Sequence, residues 1–140
     1  MKKIVITALT CLALFSCGND KKQEQALLDS IISVHEKVMS MDDHLMKNKM
    51  KLDTLLQSKL TGVTDTAAEK RQMLGLKVQL TNAEDIMGKW MGKFEPETKG
   101  KSHQQIMDYF SVQQAQVKGI DSAINAAVNA SDNYLKGLKK

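Results

Sequence analysis

The chain has 140 residues, of which 42% are hydrophobic, 4% aromatic and 26% charged, and its formal net charge is +4. Acidic and basic residues are interspersed along the chain, which indicates a solvated surface and does not suit the clustered Lys and Arg of a nucleic-acid-binding face. The length suits one domain with its own core, and a single proline with few aromatic residues favours helices.

Residues 1–16 have the layout of a secretory signal peptide. Lys2 and Lys3 precede an apolar run over residues 4–15, and a polar segment follows. The run is too short for a transmembrane helix, which needs roughly 20 apolar residues. We therefore expect residues 1–16 to be cleaved off.

The end of this segment carries a short motif: Leu14, Phe15, Ser16 and Cys17. It resembles the lipobox of bacterial lipoproteins, with a branched apolar residue three positions before the cysteine and a small residue just before it. The resemblance implies that Cys17 receives a diacylglyceryl group, becomes the first residue and is further acylated, for example with palmitate. Two or more acyl chains hold a protein stably on a membrane. Gly18 follows in place of Asp, which in that family favours the outer membrane and a periplasm-facing domain.

The cysteine count agrees with lipidation. Cys11 lies in the segment expected to be removed, and Cys17 is the only other cysteine. A disulfide framework, a CxxC redox pair, a zinc cluster and a CxxCH haem site are therefore excluded by count. The alternative that stays open is a soluble secreted protein with an unmodified Cys17.

The rest of the chain predicts an all-α fold. After the lipidated cysteine and a short tether (residues 17–22), apolar residues recur at alternating steps of three and four over residues 23–60, 66–94 and 102–138. Amphipathic helices with short loops fold back on one another, so we expect an antiparallel three-helix bundle with coiled-coil-like packing over residues 23–140. The seam residues are Leu27, Ile31, Val34, Val38, Met41, Leu45, Leu52, Leu55; Met73, Leu76, Leu80, Ala83, Met87, Trp90, Phe94; and Ile106, Phe110, Gln113, Val117, Ile120, Ile124, Ala127, Ser131, Tyr134, Leu138.

Local signals mark the ends of these helices. Thr66 with Glu69, and Ser102 with Gln105, form capping boxes that open the second and third helices. Pro96 ends the second helix because proline cannot continue the hydrogen-bond ladder.

Asn48 interrupts the first seam. A buried asparagine fixes the register of packed helices at a cost in stability. A partly exposed position is the alternative, and the sequence leaves both open.

Two segments of the body also resemble a known family. They are HEKVMSM at residues 35–41 and AEDIMGKWM at residues 83–91. Both are similar to segments of small helical lipoproteins of the Bacteroidetes, some labelled "viral A-type inclusion protein". The resemblance implies a helical lipoprotein of unknown activity, because that label reflects coiled-coil-like composition and no viral function. Ser40 stands where we expect a proline in that family, so the resemblance does not imply a kink shared with it.

No enzymatic motif is evident. The histidines His35, His44 and His103 have no nucleophile in a recognisable motif beside them, and Asp42 and Asp43 point in different directions on a helix. Phosphate-binding loops, HExxH and EF-hand spacing are absent from the sequence. We expect a non-enzymatic interaction or envelope-structural role.

An antiparallel bundle fixes which residues lie at one level. If both turns are tight, the second helix ends level with about Ser33, and Leu27, Leu28, Ile31 and Ile32 extend beyond it unless the second loop folds over them. Apolar surface left bare usually marks a contact site. We therefore expect a protein partner or self-association at these four residues.

The same reasoning predicts a soft-metal site. It places these residues near one level beside Trp90: His35, Met39, Met87, Met91, His103 and Met107. Thioethers and imidazoles suit Cu(I), so a copper- or cofactor-binding bundle is the alternative function. The favoured alternative is that methionine fills irregular gaps in a core with few aromatic residues, because Met87 and Trp90 already have seam positions that explain them as core.

Overall fold

The structure, a computed structural model, describes residues 16–59 and 67–138. These residues form helices α1 (Ser16–Met39), α2 (Asp42–Lys59), α3 (Ala67–Met91) and α4 (His103–Gly137), with no strand in the described ranges. The all-α prediction is confirmed. Residues 1–15 of the predicted signal peptide and the predicted capping residue Thr66 lie outside the described residues. No helix among those described is both long and apolar enough to cross a bilayer.

The first predicted helix is divided in two, so the expectation of one helix over residues 23–60 is wrong. The Met41 N–H donates to the Val38 carbonyl at 3.0 Å, one residue short of the α-helical spacing. The Ser40 hydroxyl donates to the Lys37 carbonyl at 2.6 Å. A serine that bonds back to the preceding turn bends a helix, and here α1 ends. The acidic first turn of α2 then stabilises a new helix start.

The expected tether at residues 18–22 is also wrong, because α1 begins at Ser16 and includes it. Lys21 Nζ lies 3.0 Å from Glu24 Oε2, a spacing of three residues that supports a helix. Glu24 is in turn held by His103 at the start of α4, 3.0 Å away. The contact between Glu24 and His103 therefore stabilises the N-terminal part of α1 as a helix.

The connection between α3 and α4 is longer than predicted. α3 ends at Met91, and Phe94 N–H donates to the Trp90 carbonyl at 2.9 Å in a closing turn. The chain then runs without regular structure to Ser102. The capping box predicted there is confirmed. Ser102 Oγ accepts from Gln105 N–H, and Gln105 Oε1 accepts from Ser102 N–H.

The predicted seams form the core. Ile31 and Val38 of α1 and Leu45 and Leu52 of α2 are all at most 2% exposed. Their constant spacing of seven residues continues across the helix break, so α1 and α2 turn one apolar stripe toward the same core. Buried side chains from α3 and α4 complete it: Met73, Leu76, Leu80, Ala83, Met87, Trp90; Ile106, Phe110, Val117, Ile120, Ile124, Ala127 and Val128. Val128 is buried although it was not among the predicted seam residues. Leu138 was predicted in the seam but is 44% exposed.

Paired side chains record how the helices lie along one another. Between α1–α2 and α4 the pairs advance together, from Ser30 with Gln114 to Asn48 with Ser131. Between α2 and α3 they advance in opposite order, as in Lys49 with Glu84 and Asp53 with Lys77. These contacts and the shared core define a helical bundle.

Candidate functional site

Three of the predicted soft ligands lie together. Met39, Met87 and Met91 line one hollow of about 150 Å³ beside the break between α1 and α2. Met87 is buried, whereas Met39 and Met91 are 41% and 46% exposed. The α1 terminus supplies the first thioether, and a four-residue spacing on α3 supplies the other two.

His35 lies in the adjoining hollow, which it shares with Met91. Its ring centroid is 5.9 Å from that of Trp90, with the planes tilted by 36°. Trp90 Nε1–H donates to Gln113 at 2.9 Å, and the indole stacks on Phe94. The imidazole therefore packs against a fixed aromatic group.

His103 and Met107 do not join this cluster, and the predicted six-residue set is wrong in this respect. His103 contacts Glu24, which precedes His35 by eleven positions, or roughly 16 Å along a helix. Met107 precedes Gln114, which pairs with Ser30, so it also lies toward the start of α1. The cause is the long connection after α3, which carries the start of α4 past the level that a tight turn would give.

The contact between His103 and Glu24 is an electrostatic site of its own. His103 Nδ1 lies 3.0 Å from Glu24 Oε1, and Nε2 lies 3.9 Å from Asp20. The hydrogen bond from His103, followed by that from Lys21, holds the pKa of Glu24 below its ordinary value although the side chain is buried. This contact fastens the first turns of α1 to α4.

The predicted partner contact is largely covered. Ile31 is fully buried, and Leu27 and Leu28 are half-buried against the core. Ile32 is 39% exposed. The loop after α3 turns over this region, since Pro96 lines the same hollow as Ile31 and Ile32. The expectation of four bare residues is therefore wrong, whereas contact with a partner through Ile32 stays a prediction.

Asn48 is buried, at 1% exposure, which resolves the alternatives left by the sequence. Its Nδ2–H₂ donates to Ser131 Oγ at 2.9 Å and to Asp132 Oδ1 at 2.7 Å. His44 Nε2 lies 2.8 Å from the same Asp132 oxygen. Burial raises the pKa of Asp132, but the hydrogen bonds to Asn48 and His44 outweigh it, so the pKa lies below its ordinary value.

A groove between α2 and α4 was not predicted. It has a volume of about 1000 Å³ and lies beside the Asn48 contact. Met50, Leu55, Leu135 and Leu138 supply apolar lining, and Lys47, Lys51 and Lys136 supply positive charge. Two apolar residues gave a weak signal in the sequence, since Met50 lies outside the seams and Leu138 is the last residue of the third seam. The groove itself depends on the path of α2, which the sequence does not show.

Clusters of three or more His, Cys, Asp or Glu that could hold a metal are absent from residues 16–59 and 67–138. No model of a known protein family matches the chain, and no curated protein or solved structure matches it.

Proposed function

We propose that the chain is a lipoprotein of the bacterial outer membrane, anchored by acylated Cys17 and facing the periplasm, whose helical bundle has a non-enzymatic interaction or envelope-structural role. The observation that carries this proposal is the signal layout ending in Leu14, Phe15, Ser16 and Cys17. Acyl chains on Cys17 would hold the protein on the membrane, since two or more chains suffice for stable anchoring.

The arrangement of the domain follows from this anchor. We propose an up-down-up antiparallel bundle, supported by the order of the side-chain pairs between α1–α2, α3 and α4. Because α1 begins at Ser16, only helix separates Cys17 from the bundle. The end formed by the start of α1 and the loop before α4 would then face the lipid, and α2 would point away from it.

Substitution of the anchor tests this function. Cys17→Ala should abolish incorporation of a radiolabelled or alkyne-tagged palmitate and release the protein from the outer-membrane fraction. Cys11→Ala is the matched control, because Cys11 lies in the removed segment, and it should leave both unchanged. Full retention of Cys17→Ala in the outer membrane would contradict the proposal.

A second function is favoured by the hollow that Met39, Met87 and Met91 share. Three thioethers at one place suit Cu(I), and the neighbouring Trp90 offers an aromatic face to a cation. On this alternative the bundle binds copper or a cofactor at the junction of α1, α2 and α3.

Titration with Cu(I) under reducing conditions tests the alternative. Met87→Leu with Met91→Leu should weaken binding, whereas Met46→Leu with Met50→Leu removes two exposed thioethers of α2 and should not. Equal Cu(I) affinity of the two double variants would mean that Met39, Met87 and Met91 only pack in the core and do not bind copper.

A further inference from the structure

The groove between α2 and α4 combines an apolar lining with positively charged side chains at its rim. Its lining is mainly apolar, and Met50 is 65% exposed there. Leu138, at 44% exposure, also lines the groove. Apolar side chains left bare within a concave surface usually mark a binding site.

The shape follows from the path of α2. α1 packs closely along α4, whereas α2, after the break at Ser40, packs less extensively on it. Leu55 and Leu135 still contact the core from either side and form the floor. Along α2 the groove extends from His44 to Leu55, roughly 16 Å at helical rise. That length accommodates one extended acyl chain.

The charge of the rim selects the head group. Lys47 and Lys51 are exposed and form no ion pair with any residue in the described ranges. Lys136 adds a third cation, 3.9 Å from Asp132 Oδ2. Asp132, the acidic residue of the lining, is turned toward Asn48 and His44. The rim is therefore positive and complementary to an anion.

We propose that this groove binds a medium-chain fatty acid such as dodecanoate, with the acyl chain against Met50, Leu55 and Leu135 and the carboxylate among Lys47, Lys51 and Lys136. The acyl chains proposed for Cys17 are not the occupant. They would begin roughly 40 Å away along α1 and α2, at the other end of the bundle. The ligand is thus a free fatty acid, and its binding does not depend on how the chain is anchored.

Binding of dodecanoate to the purified full chain tests the proposal, with methionine-methyl NMR as the site-specific readout. Dodecanoate should shift the methyl signal of Met50 and leave that of Met91, in α3, unchanged. Dodecyltrimethylammonium has the same chain and a cationic head, and it should bind at least about tenfold more weakly.

Charge reversal on the rim supplies the matched comparison. Lys47→Glu with Lys51→Glu should weaken dodecanoate binding by about tenfold. Lys70→Glu with Lys118→Glu makes the same change in net charge outside the groove and should not. Circular dichroism checks that each variant is folded.

Three results would overturn the proposal. The first is equal affinity for the anionic and cationic amphiphiles, and the second is equal affinity of the two charge-reversal variants. The third is a dimer in sedimentation that Met50→Asp dissociates, with no dodecanoate bound, because the groove would then be an interface between two copies.

Discussion

Asn48 occupies a position where the heptad pattern would place an apolar side chain, and it is satisfied there by Ser131 and Asp132. Its Oδ1 is buried and accepts no hydrogen bond from the described residues. A polar group in this setting is costly to remove, since its partners lose their own hydrogen bonds. Asn48 therefore joins α2 to α4 at one register, and its hydrogen bonds to the two α4 side chains contribute to the stability of the fold.

We expect Asn48→Ala to lower the free energy of unfolding by about 1–3 kcal/mol, because it leaves a cavity and removes hydrogen bonds to a buried hydroxyl and a carboxylate. Urea denaturation of the purified full chain measures this change. Asn82→Ala, at an exposed position of α3, is the control and should stay within about 0.5 kcal/mol of wild type. Equal stability of the two variants would contradict the role given to Asn48.

The two carboxylates with lowered pKa predict how stability depends on pH. Glu24 and Asp132 bind protons more weakly in the folded than in the unfolded chain, so they stabilise the fold above the ordinary carboxylate pKa of about 4. This stability is lost as the pH falls through the lower folded pKa.

Glu24→Gln with Asp132→Asn should therefore make the free energy of unfolding less dependent on pH on the acid side. Urea denaturation at a series of pH values from neutral to about 3 gives this slope. An unchanged slope in the double variant would show that other groups control acid unfolding.

The break between α1 and α2 is the main departure from the predicted elements. Ser40 is tolerated inside helices and the heptad spacing continues through it, so periodicity alone predicts one helix. The cause is local: the Ser40 hydroxyl bonds the Lys37 carbonyl, and Met41 takes the Val38 carbonyl that a continuous helix would give to Asp42.

A proline scan distinguishes a break from a continuous helix. Asp42 is the first residue of α2, where proline is tolerated, so Asp42→Pro should cost at most about 1 kcal/mol. Lys51→Pro lies inside α2 and should cost about 3 kcal/mol or more. Similar losses in both variants, measured by urea denaturation, would mean that the helix is continuous.

The glycines of α3 and α4 give a second test at this scale. A Cβ added at Gly75 or Gly119 meets no atom within 4 Å, so close packing does not require either glycine. Gly75→Ala and Gly119→Ala should each raise the free energy of unfolding by about 0.5–1 kcal/mol. Gly100 has φ +81°, and Gly100→Ala should lower it. A loss of stability on Gly119→Ala would indicate a neighbour that packs against α4.

Across the whole molecule, the sequence predicted the core residues, which follow from apolar periodicity, and the start of α4, which follows from its capping box. Ile31, Val38, Leu45 and Leu52 were expected in the core from their spacing, and Ser102 was expected to start α4. The path of the chain between helices has no such signal. The connection after α3 displaces His103 from the predicted metal site.

The groove eluded prediction for a related reason. In the sequence, Lys47 and Lys51 are typical of an ordinary solvated helix face. Only the position of α2 relative to α4 brings them into one groove with Leu55 and Leu135. Charged side chains indicate a ligand site only where an apolar lining lies beside them. Neither feature alone would have indicated a site.

We propose that lipid on Cys17 holds this bundle at a membrane. Mass spectrometry of the amino-terminal peptide, taken from the protein isolated from its native membrane, tests this proposal. The peptide should begin at Cys17 and carry a diacylglyceryl group together with an amide-linked acyl chain. A peptide that begins at Met1, or one in which Cys17 is unmodified, would contradict it.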